Sequence, residues 1–426
     1  MFEIYSWIFA FLLVYFVSNA SRINTASVIF IKLLPCFIGL IIGLQESATK
    51  FYVLLCFAAY SFSYVLAKKR HLVLSVGNYD KPYLNHVNLI SVLFACFLIV
   101  SLTLYHFYAA GIPIFGDVIR DRFDVMKSGL FGLPSRSYLI GLPLIYIMLI
   151  AVKHQPLAVR QLKKINIYIL VFLVFLVIVR ALGGFKGAVL EVFFLTIIVS
   201  SALGKDMRVY NFIKNNFFKL SAIIGIILIV SSQYTDSINK YSGLLDYLFV
   251  RIFYMTSEPD VFILTSDQNL SFGNYFINDI LFQLKKWFNF SGQNEIIADS
   301  TTHVFAGMSG YKIENVVNSG NHVPVTISFI SMGFVNFGYL FGFLSCALTG
   351  LFLGYLENKV LSPASFLKKV FYILNIYIIY TYTIKGNLIY MIVNWYIIFA
   401  AIAICCLLVR FFLRNLATKM KVVTLV

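Results

Sequence analysis

At 426 residues, 60% of them hydrophobic and only 12% charged, with mean hydropathy +0.86, the chain is too apolar for a water-soluble globule, in which roughly a quarter of residues carry charge. It reads as an integral membrane protein. The formal charge of +16 does not point to nucleic acid, because most basic residues sit in short connections between apolar runs, where they set topology. The six cysteines, Cys36, Cys56, Cys96, Cys346, Cys405 and Cys406, all fall inside apolar stretches without ligand spacing, so neither a disulfide framework nor a zinc site is expected.

Taken in order, residues 3–18 have no basic leader and no small-residue cleavage site, and read as a retained first span. A spanning helix needs about 20 mainly apolar residues, and about eleven stretches qualify: near 3–18, 27–44, 51–67, 88–110, 137–152, 166–181, 187–204, 219–233, 326–356, 368–384 and 387–409. The expected fold is therefore an all-α, polytopic membrane helix bundle with one long outer loop. Its parts are an N-terminal transmembrane bundle (1–231), that loop (232–325) and C-terminal transmembrane helices (326–426).

Basic residues gather in alternate connections: Lys68, Lys69 and Arg70; Lys153, Arg160, Lys163 and Lys164; Lys205, Arg208, Lys214 and Lys219; Lys359, Lys368 and Lys369; and the tail Arg410, Arg414, Lys419 and Lys421. The positive-inside rule makes these cytoplasmic, the C-terminus with them. The connection 232–325 then lies outside. A connection that long is uncommon unless functional or disordered, and apolar residues at helical spacing in 241–264 and 275–290 predict amphipathic helices lying in the membrane interface.

Cations on the outer face carry more information, because topology does not explain them. Arg120 and Arg122 lie beside Asp117, Asp121 and Asp124, as a phosphate clamp or as an internal Arg–Asp network. A turn at 180–187 breaks an apolar run and carries Arg180 and Lys186 among glycines. Glu191 follows just inside the next span, where an ionisable group is functional or paired, here to Lys186 or Arg180. Arg251 lies in the apolar run 244–253 and must snorkel or find an anion. Asp299 and His303 are further titratable groups of the loop. His322 stands beside Pro324 where the loop meets the next span, placed for proton transfer. Gly338 and Gly342, then Gly350 and Gly354, are small-xxx-small pairs that favour close helix crossing.

The sequence His322-Val323-Pro324-Val325, with Gly333-Phe334-Val335-Asn336-Phe337-Gly338 after it, resembles the bacterial O-antigen polymerase (Wzy) family within the O-antigen polymerase and ligase superfamily. The hairpin from Arg180 to Gly187 and the loop opening Gly111-Ile112-Pro113-Ile114-Phe115-Gly116 are similar to the same superfamily. That resemblance implies metal-independent, cofactor-free glycosyl transfer at the outer face of the bacterial inner membrane, polymerising undecaprenyl-diphosphate-linked repeat units. Arg180, Lys186, Arg251, Arg120 and Arg122 would hold the diphosphate, and His322, or Glu191 or Asp299 in its place, would act as base. Partners would be lipid-linked glycans, membrane lipid and a chain-length regulator, with no nucleic acid. The alternative is a lipid-linked oligosaccharide flippase, which should place its charges in a central cavity.

Overall fold

The computed structural model describes residues 25–68, 82–115, 133–153, 159–183, 186–203, 243–266, 273–288, 298–319, 325–362 and 365–423, with a few isolated positions besides. Apolar runs of this length fold as helices because only a helix satisfies its own backbone polar groups where water is excluded. The first half contributes α1 (Thr25–Gly43), α2 (Ser47–Ala67), α3 (Pro82–Ala110), α4 (Leu133–Lys153), α5 (Val159–Leu182) and α6 (Lys186–Ala202). Four helices follow in the long connection: α7, running from Leu244–Phe249 through a π turn at Val250–Tyr254 into Met255–Thr265, then α8 (Asn274–Phe288), α9 (Ser300–Ser309) and α10 (Ile313–Ser319). The chain closes with α11 (Phe329–Leu361), α12 (Phe366–Lys385) and α13 (Leu388–Val423).

Among the described residues, 7 helices are long and apolar enough to cross a membrane: α1, α2, α3, α4, α5, α11 and α13. Helix α6 is shorter, and α12 carries Lys368, Lys369 and Lys385. The expected spans 3–18 and 219–233 lie outside the described residues, apart from Trp7, Leu12 and Gly225. Among the described residues, the departure from an all-helical chain is one antiparallel ladder, Arg22 opposite Arg208 and Ile23 opposite Met207.

Helices α4 and α6 form the centre. The side chains from Leu142 to Val152 are buried almost without exception, as expected of a helix that is apolar all round, and α6 is packed by α1, α4, α5, α11 and α12. Exposed Phe97, Leu170, Leu348 and Phe411 mark the outward faces of α3, α5, α11 and α13.

The run expected to span straight through 326–356 does not do so. Gly338 breaks α11 with φ 71° and ψ −170°, a backbone conformation open to glycine and strained for other residues. A Cβ added to Gly333 would stand 3.3 Å from the Gly342 Cα, whereas a straight helix separates such residues by about 13 Å. The piece ending at Phe337 therefore folds back along the piece beginning at Tyr339. Gly338 turns the chain rather than packing it. The second glycine pair does pack: Gly350 and Gly354 lie against the α2 backbone at Tyr60 and Tyr64. Farther along, Lys68 meets Glu357 at 3.0 Å and Tyr64 Oη donates to the same carboxylate at 2.8 Å.

The tip of this hairpin anchors the loop helices. The carbonyl of Asn336 accepts from Gly273 N at 2.7 Å and its side-chain Oδ1 accepts from Phe276 N at 3.0 Å, satisfying amides at the start of α8 that have no intrahelical partner. Helix α8 buries Asp279 and Gln283 and leaves Ile277, Leu281 and Leu284 exposed. Its apolar stripe faces away from the protein, as in a helix lying in a membrane interface.

Candidate functional site

Arg180 occupies the last turn of α5, where a cation complements the helix dipole, yet only 6% of it is exposed. Its partners come from α4. Residues Ser137–Gly141 form a π turn, which widens the helix, and Arg180 Nη2 donates to the Leu139 carbonyl at 2.6 Å. The guanidinium also lies over the Tyr138 ring, 5.2 Å from its centroid, and the far side of that region is filled by His106, whose ring stacks on Tyr138 at 5.7 Å. His106 is thus buried within the last turns of α3.

Glu191 sits one turn inside α6. Among the described residues its salt-bridge partner is Lys385, the last helical residue of α12, at 3.0 Å, while the expected partner Lys186 has a side chain outside the described residues. Lys385 is placed there by Gly386, which ends the helix at φ 66° with its amide on the Tyr382 carbonyl, the usual left-handed stop. Lys385, Lys32 and Arg180, in that order of strength, all act electrostatically on Glu191. Lys32 reaches in from α1, its Nζ 5.3 Å from the Phe194 ring centroid. Although α6 is ringed by five helices, the side chains of Lys385 and Glu191 keep 37% and 26% exposure, so the pair is not sealed inside the bundle. The Tyr380 hydroxyl, nearby on α12, is buried with no hydrogen-bond partner among the described residues.

The segment that leads into α11 closes over this end of the bundle. A Cβ on Gly386 would meet the Ile327 carbonyl at 2.5 Å and Met332 Cγ at 2.6 Å, so the α12–α13 turn rests on the chain that follows the His322 stretch. Beneath it Asp260 of α7, 1% exposed, accepts from Ser328 N at 2.9 Å, Ser328 Oγ at 2.8 Å and Cys36 Sγ at 3.2 Å. A buried carboxylate at the start of α11 complements both its free amides and its dipole.

No family model, curated protein or solved structure matches the chain. The chemistry of this site therefore rests on its own residues.

The remaining expected site residues fall elsewhere. His322, Arg120 and Arg122 lie outside the described residues. Of Lys186 only the backbone is described, as the first residue of α6. Arg251 lies in the π turn of α7, exposed, with Nη1 3.6 Å from Met255 Sδ. Its described contact does not join it to the Glu191 cluster. Asp299 is committed to capping α9, accepting from Thr302 N at 3.0 Å and Thr301 Oγ1 at 3.1 Å. His303, in that helix, packs edge-on against Tyr275 at 5.4 Å. Burial pushes its imidazole below the usual histidine range, against the opposing pull of Asp299 and the Ala298 carbonyl.

Lys385, Lys32 and Asp260 carry the geometry without having been singled out for it. Lys385 had a legible signal, a cation in a two-residue break between apolar runs on the face that the positive-inside rule leaves neutral. Lys32, inside an otherwise apolar span, had one as well.

Proposed function

We propose that this chain is a membrane-embedded glycosyltransferase that joins undecaprenyl-diphosphate-linked repeat units into O-antigen or a related surface polysaccharide, at the outer face of a bacterial inner membrane. The observation that supports this reading most is the convergence of Arg180, Lys385 and Lys32 on one carboxylate, at the bundle end where Ile327 follows the His322 stretch. Cations gathered in a partly dry site stabilise a developing phosphate charge far better than they would in water. No acid is needed for a diphosphate leaving group, and neither a metal nor another cofactor enters the reaction.

In the proposed step the acceptor sugar hydroxyl attacks the anomeric carbon of the donor glycan. A new glycosidic bond forms and the bond from that carbon to the diphosphate oxygen breaks, its electron pair leaving with the lipid diphosphate. His322, five residues before Ile327 in the sequence, takes the hydroxyl proton. Arg180, Lys385 and Lys32 hold the diphosphate, with Lys186 at the start of α6 adding to them. Ligands are lipid-linked glycans amid membrane lipid, and a chain-length regulator is the expected protein partner.

A second reading, a flippase for the same lipid-linked glycans, is favoured by one observation. Lys32 lies about 10 Å along α1 from its start, so one cation of the cluster stands within a span and not at its end. Deleting the gene in its host and running surface glycan on a gel separates the two. A ladder that collapses to one repeat unit supports the transferase, and loss of all surface glycan with lipid-linked units stranded inside supports the flippase. Unchanged glycan refutes both.

A further inference from the structure

We infer that the Tyr380 hydroxyl is a further ligand-binding group of this site, donating a hydrogen bond to a phosphoryl oxygen of the lipid diphosphate. The inference rests on the proposed diphosphate site and adds a neutral donor to its cations.

Ring contacts fix where Tyr380 stands. Glu191 and Phe194, three positions apart, share one face of α6. Lys32 of α1 reaches over the Phe194 ring, 5.3 Å from its centroid, and the Tyr380 ring of α12 packs beside that same ring at 6.4 Å. Tyr377, one turn earlier on α12, backs it at 5.6 Å. The side chain is thus held among the groups that surround Glu191, close enough for the carboxylate to act on its hydroxyl.

Tyr380 is 2% exposed, yet its hydroxyl has no hydrogen-bond partner among the described residues, not even that carboxylate, which Lys385 holds at 3.0 Å. Buried tyrosine hydroxyls ordinarily find one; in the same bundle Tyr146 meets Thr196 Oγ1 at 3.0 Å and Tyr64 donates to Glu357 at 2.8 Å. A buried donor left unmet costs stability, and among Lys385, Lys32 and Arg180 the acceptor that suits it is an anion. Tyr380 lies five residues before Lys385, about 7.5 Å deeper along α12, and the Lys385 side chain is the more exposed of the two, so a ligand held by Lys385 meets the hydroxyl with its inner end. A neutral hydroxyl suits this depth, where a further unpaired charge would be far costlier to bury. Tyr60 offers an internal comparison. Its hydroxyl is likewise buried without a described partner, but the carboxylate that acts on it is Glu357, which Lys68 neutralises.

The test uses the full-length protein in lipid nanodiscs, with a polyprenyl diphosphate as probe, and reads both its Kd and the thermal midpoint of the unliganded protein. Tyr380→Phe should leave that midpoint unchanged or raise it and weaken the probe about tenfold or more, the loss of one hydrogen bond to a charged oxygen. Tyr60→Phe should leave the Kd as it is. A lower midpoint for Tyr380→Phe, up to failure to fold, assigns the hydroxyl a partner within the protein or a fixed water and overturns the inference, as does an unchanged Kd or an equal weakening by Tyr60→Phe. Should the probe not bind wild type, the diphosphate site itself falls. Should Lys385→Ala and Arg180→Ala weaken the probe while Tyr380→Phe does not, only the role of Tyr380 falls.

Discussion

The backbones of Gly333 and Gly342 meet, with the position of a Cβ on Gly333 only 3.3 Å from the Gly342 Cα. They are nine positions apart in sequence, so this contact exists only because Gly338 reverses the chain. The two arms touch through glycine at both points, and neither side tolerates added bulk. We expect Gly338→Ala to cost about 1–3 kcal/mol through backbone strain, and Gly342→Val to force the arms apart. Both should lower the melting temperature of the detergent-solubilised protein. An unchanged melting temperature for Gly342→Val would show that the hairpin does not form.

Asp260 tests what holds the first arm down. Removing its carboxylate leaves the Ser328 amide and hydroxyl buried without their acceptor, a loss of about 1–3 kcal/mol. Asp260→Ala should be clearly destabilising and Asp260→Asn, which keeps an acceptor oxygen, markedly less so, as read by thermal unfolding. Equal losses would mean that the charge and not the hydrogen bonds fixes α11.

The loop helices should respond to pH through Asp279. Burial raises its carboxyl to about 6, against the opposing effect of the Ser300 amide and hydroxyl, which donate to it at 2.7 and 3.0 Å. The unfolded value is about 3.9, so from there up to about 6 the free carboxyl ionises while the folded one retains its proton. The stabilising contribution is complete below the unfolded value and is lost as pH rises through 6. Hydrogen exchange of the Ser300 amide should therefore be slower, after correction for intrinsic rates, at pH 5 than at pH 7.5. Asp279→Asn should flatten that difference; a difference that persists assigns the effect to another group.

Arg180 should not be replaceable by lysine. Its contacts to the Leu139 carbonyl and the Tyr138 face need a planar fork that an ammonium does not offer. Both Arg180→Lys and Arg180→Ala should reach the membrane and fail to make long glycan chains, and His322→Ala should do the same. A normal ladder from Arg180→Lys would reduce this residue to a point charge.

The helices were legible because length and apolarity alone decide them. The hairpin in α11 was not, since apolar residues on either side of Gly338 look the same to a hydropathy reading whether the chain runs straight or doubles back. One cue existed: the uninterrupted segment Phe329–Leu361 has 33 residues, well beyond the roughly 20 that cross a bilayer. For the site, Arg180 and Glu191 were readable as charges that topology does not explain. Their pairing was not, because Lys385 is 194 positions from Glu191 and only packing brings α12 against α6. Arg251 shows the opposite limit. Its place in an apolar run left an anionic partner and an outward-reaching side chain equally open, and only the packing turns that side chain outward.

Helix α8 is held by the protein at its start, through Asn336, while Ile277, Leu281 and Leu284 project from it. The same helix is held farther along as well, where Asp279 accepts from the Ser300 amide and hydroxyl, so its outward apolar stripe is carried on a rigid support tied to the bend beside Gly338.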